Sequence, residues 1–344
     1  MKHKGIINFF VILFFAVSCI VAAPAAGLAQ EKTITIKVSN WFPVGAGKDK
    51  LLKEWGADLE KRTNGKIKVN YYAAGTLIPA PQSYDGVVKG IADVTQHVAG
   101  YTVGRFPMME LVDLPLGYPS GTVVTRMAND YYKKFKPKEM DQVKLLWFHA
   151  QAPGILHTKS KPVNKIEDLK GLKIRTFGSN AKLMSYLGGT PVAMPMGDVY
   201  DALSKGVADG LLASYETMDN WKFADFIRYS TECFDVAYTA LFMVIMNKNK
   251  WNSLPKDIQA TVDQLSAEYI EKSAKMWDDI AESGRQVLLK NGGKIIKLSK
   301  EEQAKWVEKA KPLFEEYASN VEKKGLPGKE AVKYIQDYVS KSKK

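Results

Sequence analysis

An eleven-residue phrase that occurs twice is the feature of this sequence that most constrains its fold. YDGVVKGIADV at 84–94 returns as YDALSKGVADG at 200–210, and six of the eleven positions are identical. Each copy ends a helical pattern at a glycine, Gly90 or Gly206, where a left-handed C-terminal cap is expected before a strand begins. The copies lie too far apart for a solenoid array, so the repeat predicts two similar α/β lobes.

Short apolar segments precede both copies and complete the repeat unit. IKVNYYAAG at 67–75 and TPVAMP at 190–195 predict strands that lead through turns into the repeated helices. We therefore interpret each unit as a βαβ crossover. Because both copies carry an aspartate at the same place, Asp93 and Asp209, we interpret these two residues as structural.

The N-terminal segment has the pattern of a secretory signal peptide. Lys2 and Lys4 precede a long uncharged run, and Ala29 offers a small residue after which cleavage is favoured. An uncleaved membrane anchor and lipid attachment at Cys19 remain as alternatives. The sequence predicts export to the periplasm, with residues 1–29 as the signal peptide.

The charge of the chain is basic but dispersed. Lysine and arginine number 49 against 37 aspartates and glutamates, which gives a formal net charge of +12. The cations are scattered, as in KKFKPK at 133–138, and are not interleaved with the stacking or base-reading residues of nucleic-acid-binding proteins. We expect a solvated basic surface that favours anionic ligands and binds no nucleic acid. Without the signal peptide only Cys233 remains, so no internal disulfide is expected.

Common signatures of an enzyme are missing from the sequence. Beyond the signal peptide, His97, His149 and His157 do not have the spacing of a helical metal site, and no GxSxG motif occurs. VGAGKDK at 44–50 lacks the first glycine and the Ser or Thr of a phosphate-binding loop, so we interpret it as a turn into a helix. The sequence therefore predicts no metal, no cofactor and no catalytic residues.

The last third of the chain predicts long helices. The segment after Pro255 contains no proline over about 256–290 and has apolar residues at mostly helical spacing, as expected of a scaffold spanning both lobes. A capping box formed by Ser299 and Glu302 predicts the start of a further amphipathic helix. Helical patterns then continue to about Lys341.

One segment, residues 166–210, resembles the solute-binding proteins of tripartite ATP-independent periplasmic (TRAP) transporters. Its sequence is IEDLKGLKIRTFGSNAKLMSYLGGTPVAMPMGDVYDALSKGVADG. Four motifs occur in the order and at the spacing of that family, which is named after its dicarboxylate-binding component. They are LKGLKIR, LGGTPV, MPMGDVYDAL and GVADG. Weaker similarity extends over nearly all of the chain after the signal peptide, including LVDLPLGY at 111–118 and MNKNKWNSLPKDIQ at 246–259.

The resemblance implies an α/β fold of the two-lobed periplasmic-binding-protein (Venus flytrap) type, with crossing strands and a long lobe-spanning helix. Lobe 1 would comprise residues 30–152 and about 241–275. Lobe 2 and the C-terminal helices would comprise residues 153–240 and about 276–344. Such a protein captures a small carboxylate in the periplasm and delivers it to the small and large integral membrane subunits of a TRAP permease.

Arg175 is the residue to which the resemblance gives a role. In the family an arginine at the end of the LKGLKIR strand holds the carboxylate of the ligand, and Arg175 is the matching residue. The chemistry agrees, because a guanidinium pairs with a carboxylate through two parallel hydrogen bonds and stays charged when it is desolvated.

Further candidates for ligand binding lie at predicted strand ends that face the cleft and in the segment after the second repeat. They are Trp41, Phe42, Thr76, His97, Tyr101, His149, Gln151, Phe177, Asn180, Leu212, Tyr215 and Glu216. For the aromatic residues, packing in the core is the alternative. The two histidines could equally be buried groups whose hydrogen bonds are satisfied within the protein.

The sequence departs from the family in two places that bear on the ligand. Many members carry a Gln-Glu-Asn-Pro run where this chain has Leu211 to Ser214, and sugar-acid binders carry an upstream arginine that FHAQAPGILHTKSK at 148–161 lacks. Lys159 or Lys161 could take its place if the loop bends. These features favour a monocarboxylate with an apolar or aromatic body, with or without an adjacent hydroxyl or keto oxygen.

Two other classes of protein remain open at this stage. A binding protein of an ATP-driven transporter or of a sensor would share the fold and the cleft. A periplasmic enzyme would convert a candidate acid, whereas a binding protein returns it unchanged.

Overall fold

The computed structural model of the chain describes residues 33–343, so the predicted signal peptide and Cys19 lie outside the described residues. The eleven strands within residues 33–343 are β1 Ile34–Ser39, β2 Ile67–Tyr72, β3 Val94–Val98, β4 Val143–Ala150, β5 Ile155–Thr158, β6 Lys173–Thr176, β7 Thr190–Ala193, β8 Gly210–Ala213, β9 Tyr229–Glu232, β10 Leu241–Asn247 and β11 Lys294–Lys297. The ten α-helices of the same range are α1 Gly47–Arg62, α2 Ser83–Val88, α3 Gly121–Phe135, α4 Asn180–Tyr186, α5 Val199–Ser204, α6 Thr217–Asn220, α7 Lys248–Ser253, α8 Lys256–Lys290, α9 Lys300–Glu322 and α10 Gly328–Ser342. No helix in this range is both long and apolar enough to cross a bilayer.

Two mixed sheets form the centres of the two lobes. The first sheet has the order β2-β1-β3-β10-β4, and the second has the order β11-β9-β5-β8-β6-β7. In the first, β1 lies between β2 and β3 and is parallel to both. In the second, β6 lies between β7 and β8 and is parallel to both. The two βαβ units predicted from the repeat are thereby confirmed.

The repeated phrase forms the same joint in both lobes. Gly90 and Gly206 have φ angles of +73° and +71°, the left-handed conformation that glycine adopts without strain. In lobe 1 the Asp93 carboxylate accepts the Lys37 N–H at 2.7 Å. In lobe 2 the Asp209 carboxylate accepts the Lys173 N–H at 2.9 Å. Each aspartate thus ties its helix-to-strand joint to the neighbouring parallel strand, which confirms the structural role predicted for both.

The chain passes between the sheets at residues 151–154 and again at 233–240, because β4 and β10 belong to the first sheet and β5 and β9 to the second. Helix α8 has 35 residues, about 52 Å at 1.5 Å per residue, and contacts α1, α3 and β4 as well as α6. The predicted long helix over 256–290 is confirmed. The lobe boundaries stay a prediction. Helix α10 belongs to the residues predicted for lobe 2, but it contacts α3, which belongs to the residues predicted for lobe 1.

Three fully buried histidines predict that the fold loses stability in mild acid. Burial lowers the pKa values of His97, His149 and His157 to about 3, from an ordinary value of 6.5. Between these values the unfolded chain binds protons that the folded chain does not, so the free energy of unfolding falls as the pH falls. Each histidine contributes a slope that approaches about 1.4 kcal/mol per pH unit.

Urea unfolding at pH 7, 6 and 5 measures this slope. His157→Gln removes one titrating group and is expected to lower the slope by about the contribution of one histidine. An unchanged slope would contradict the assignment of His157 as a buried neutral group.

Candidate functional site

Arg175 lies near the end of β6 and its side chain is 0% exposed. Its Nε and Nη2 atoms donate hydrogen bonds to the carbonyl oxygen of Met194 at 3.1 and 2.8 Å, which fixes the plane of the guanidinium. Nη1 has no hydrogen-bond partner among the described residues. No described carboxylate forms an ion pair with this guanidinium, so its charge is buried without a counter-charge from residues 33–343.

A row of aromatic rings leads from the guanidinium into the other lobe. The ring centroid of Phe177 lies 5.2 Å from Cζ of Arg175, and the Tyr101 ring lies 5.9 Å from that of Phe177. The Trp41 ring follows at 6.0 Å from Tyr101 and stacks on Phe42 at 3.8 Å. Burial raises the pKa of the Tyr101 hydroxyl, and the positive charge of Arg175 opposes this rise. Five of the sequence-predicted residues therefore form one continuous group.

Unpaired amides accompany Arg175. Asn180 is fully buried at the start of α4, and neither its Oδ1 nor its Nδ2 has a hydrogen-bond partner among the described residues. Nε2 of Gln151, where the chain crosses between the sheets, likewise has no partner within residues 33–343. Buried polar atoms are normally paired, so the unpaired side-chain atoms of Arg175, Asn180 and Gln151 are candidates for hydrogen bonds to a polar ligand.

The two lobes touch where glycine leaves room for them. A Cβ atom on Gly100, in lobe 1, would lie 2.9 Å from Cδ2 of Phe177 in lobe 2. A Cβ atom on Gly178 would lie 3.1 Å from Cα of Gly100, and Gly178 has a φ angle of +52°. A side chain at Gly100 would crowd the Phe177 ring beside Arg175, and one at Gly178 would crowd the Gly100 backbone of the other lobe.

A buried ion pair crosses between the lobes, and the sequence analysis missed its cation. Nζ of Lys48, in α1, lies 2.7 Å from Oε2 of Glu216, which immediately precedes α6 in the other lobe. The side chains are 0% and 4% exposed. The ammonium also lies 4.7 Å from the ring centroids of both Phe42 and Trp277. Burial lowers the pKa of Lys48 and the Glu216 carboxylate opposes this shift, so the pair depends on both partners.

His149 stands beside this ion pair with both ring nitrogens engaged. Nε1 of Trp277 donates to Nδ1 of His149 at 2.8 Å, so the ring proton belongs on Nε2. Nε2 lies 2.9 Å from Oε1 of Gln96 and donates to it. The imidazole is also stacked on the Phe242 ring at 5.0 Å. These contacts leave the ring no free nitrogen in the present arrangement, and a ligand contact by His149 stays a prediction.

Other predicted residues lie outside the group around Arg175. His97 contacts Ser83 at 2.8 Å and Thr102 at 3.1 Å through its two nitrogens. Thr76 is exposed, and its hydroxyl donates to the carbonyl oxygen of Ala73 within its own turn. The ligand-binding roles of His97 and Thr76 are untested by these contacts and stay predictions.

Leu212 and Tyr215 lie in the segment that follows the second repeat. The carbonyl oxygen of Leu212 accepts the Tyr238 hydroxyl at 2.8 Å, and the Leu212 side chain is buried. The hydroxyl of Tyr215 donates to the Glu232 carboxylate at 3.1 Å. Their ligand-binding roles also stay predictions.

The lysines considered as substitutes for an upstream arginine are engaged elsewhere. Nζ of Lys159 donates to the carbonyl oxygen of Leu203, and Nζ of Lys161 donates to that of Asp168 at 2.6 Å. Neither ammonium therefore supplements Arg175 in this arrangement. Within residues 33–343, no group of three or more His, Cys, Asp or Glu residues is placed to hold a metal ion.

Comparison with known proteins gives this site its context. The sequence model of the family of bacterial extracellular solute-binding proteins, family 7 (DctP), matches residues 40–320. The chain belongs to this family. This match confirms the resemblance seen in the sequence. The family consists of transporter solute-binding proteins and is not a family of enzymes.

Solved structures share the fold over most of the chain. A TRAP solute-binding protein from a marine metagenome, in complex with metahydroxyphenylacetate, has a TM-score of 0.86 and 31% identity, covering 90% of this chain and 100% of its own. One from Rhodoferax ferrireducens, in complex with copurified benzoate, has a TM-score of 0.85 and 28% identity, covering 90% and 98%. The monocarboxylate 2-oxoacid-binding periplasmic protein of Nostoc sp. is 26% identical over 268 residues, 76% of this chain and 73% of its own. The predicted two-lobed α/β fold is confirmed.

Proposed function

We propose that this family member binds a small organic acid with one carboxylate and an aromatic or apolar body in the cleft between its lobes. Arg175 pairs with the carboxylate, and Gln151 and Asn180 supply further hydrogen bonds. The protein then delivers the acid, chemically unchanged, to the small and large subunits of a TRAP permease. It reaches the periplasm through a signal peptide cleaved after Ala29.

The buried charge of Arg175 carries this proposal. A guanidinium that is 0% exposed and has no ion-pair partner among the described residues bears a large desolvation cost. An anion that binds through Nη1 removes this cost, because charge-assisted hydrogen bonds are strongest in a site of low dielectric constant. Nε and Nη2 are held by Met194, so a carboxylate approaches a guanidinium that is already oriented.

The rings near Arg175 support an aromatic or apolar ligand body. The Phe177 ring lies beside the guanidinium, and Tyr101 and Trp41 continue this row of apolar faces, against which planar ligands pack well. The benzoate and metahydroxyphenylacetate in the two similar structures are aromatic monocarboxylates. The Nostoc relative, named for monocarboxylate 2-oxoacids, supports a single carboxylate with a neighbouring keto oxygen as the next class to test.

A thermal-shift screen of organic acids, followed by calorimetry on metabolite-stripped protein, tests the proposed function. At 100 times its dissociation constant a ligand adds about 2.7 kcal/mol to the free energy of unfolding, so a true ligand gives a clear shift. Mass analysis of the recovered ligand is expected to show no conversion. A screen in which no aromatic or 2-oxo monocarboxylate binds would reject the proposed ligand class.

We expect monocarboxylates to bind more tightly than dicarboxylates of similar size. Arg175 is one buried cation without an ion-pair partner, whereas Lys48 is already paired with Glu216. A second ionised carboxylate would lose its hydration without gaining a counter-charge, which costs several kcal/mol. Competition of phenylacetate or benzoate against succinate and malate measures this difference. Tighter binding of either dicarboxylate would contradict the expectation.

A further inference from the structure

The carboxyl group of Asp113 is buried near the cleft, and the protein uses only one of its two oxygens. Oδ1 accepts a hydrogen bond from the backbone N–H of Leu241 at 2.7 Å. Oδ2 has no hydrogen-bond partner among the described residues, although Asp113 is only 1% exposed. Binding the Leu241 N–H needs one acceptor, so a purely structural role leaves the second oxygen unexplained.

Oδ2 of Asp113 reaches the contact between the lobes. A Cβ atom on Gly100 would lie 3.2 Å from this oxygen and 2.9 Å from Cδ2 of Phe177, so both atoms face the same point on the Gly100 backbone. The same Phe177 ring lies 5.2 Å from Cζ of Arg175. One aromatic side chain therefore neighbours both the carboxylate-binding guanidinium and the unpaired Asp113 oxygen.

The surroundings of Asp113 favour a hydrogen-bond donor at Oδ2. Burial raises the pKa of the Asp113 carboxyl well above its usual value, and the charge of Glu110 adds to the rise. Because Oδ1 accepts the Leu241 N–H, a proton carried by this carboxyl group belongs on Oδ2. A neutral O–H group in a buried position pairs with an oxygen acceptor without bringing a further negative charge to the ligand.

We propose that Oδ2 of Asp113 binds a second oxygen of the ligand, so that the site selects aromatic acids that carry a ring hydroxyl. The inference rests on the proposed function, in which Arg175 binds the carboxylate. It assigns ligand selection to a residue that the family motif around Arg175 does not contain.

The test compares phenylacetate with its 2-, 3- and 4-hydroxy derivatives by calorimetry. The wild-type protein is expected to bind at least one hydroxylated acid about tenfold or more tightly than phenylacetate, because a site built around a hydrogen bond discriminates against the analogue that lacks it. In Asp113→Leu this preference is expected to fall below about threefold. Asp113→Asn places an N–H donor at the same position and is expected to retain most of the preference.

Asp201→Asn, on the exposed face of α5, is the matched control and is expected to leave the preference unchanged. Melting of each ligand-free variant shows whether loss of the Leu241 bond disturbs the fold, and Asp113→Asn preserves that bond. Tight binding of phenylacetate with no preference for any hydroxylated acid, or an undiminished preference in a folded Asp113→Leu variant, would overturn the role of Asp113 and leave the proposed function standing. Binding of none of the four acids would overturn the Asp113 proposal, and the wider screen with benzoate and 2-oxo acids decides the proposed function separately.

Discussion

Arg175→Ala is expected to weaken binding of the native acid by roughly 30-fold to several thousand-fold while leaving the fold intact. Truncating one partner of a desolvated charge pair costs about 2–5 kcal/mol, and each 1.4 kcal/mol corresponds to a factor of ten in affinity. The Arg175 side chain is fully buried, so solvent does not screen this interaction. Calorimetry with a ligand from the screen measures the loss, and circular dichroism of the ligand-free variant checks the fold.

Two further substitutions make the Arg175 result specific. Arg175→Lys keeps the charge but loses the planar fork and the paired bonds to Met194, so it is expected to bind better than Arg175→Ala and more weakly than wild type. Arg126→Ala removes an exposed arginine paired with Glu271 and is expected to leave affinity unchanged. A loss of less than threefold in Arg175→Ala would remove this residue from the site.

Lys48→Met is expected to weaken ligand binding by about 100-fold or more, although neither Lys48 nor its partner Glu216 has to contact the ligand for this effect. Removing one member of a buried ion pair costs about 3–5 kcal/mol, because the remaining charge is left unpaired. Here the lobes can avoid that cost by separating, which returns Glu216 to water. The closed state that holds the ligand would therefore become less populated, and affinity falls by the same free energy.

The double variant Lys48→Met, Glu216→Met separates the charge effect from the loss of packing. With both charges removed, the buried apolar pair no longer opposes closure, and affinity is expected to recover to within about tenfold of wild type. Small-angle scattering of the ligand-free proteins is expected to give a larger radius of gyration for the single variant than for the double variant. Equal affinity and radius in wild type and Lys48→Met would show that the ion pair does not control closure.

Local patterns in the sequence predicted the parts of the fold that depend on neighbouring residues. The doubled phrase predicted the joints that end at Gly90 and Gly206, since a left-handed cap is encoded by the glycine itself. The apolar spacing after Pro255 predicted a helix over about 256–290, and α8 occupies Lys256–Lys290, because helical periodicity is a local property. The ligand-binding role of Arg175 could be predicted only from the family motif, since a strand-end arginine alone does not indicate whether its charge is exposed or buried.

Pairs that are distant in the chain could not be predicted in this way. Lys48 and Glu216 are 168 positions apart and meet only because the lobes pack together. His149 was predicted at the cleft, but its engagement by Trp277 depends on a partner 128 positions away. Asp113 lies in the LVDLPLGY segment that resembles the family, but that segment does not reveal the significance of its carboxyl group, which lies in an oxygen that folding leaves unpaired.

The two equivalent joints allow the same substitution to be compared in two different surroundings within one molecule. Asp93 and Asp209 form the same hydrogen bond to an equivalent strand, to Lys37 in one lobe and Lys173 in the other. Replacing either aspartate therefore removes the same local chemistry from two different surroundings. Any difference between the two losses in stability reports how firmly the remainder of each lobe holds its parallel strands in register, independently of the bond that was cut.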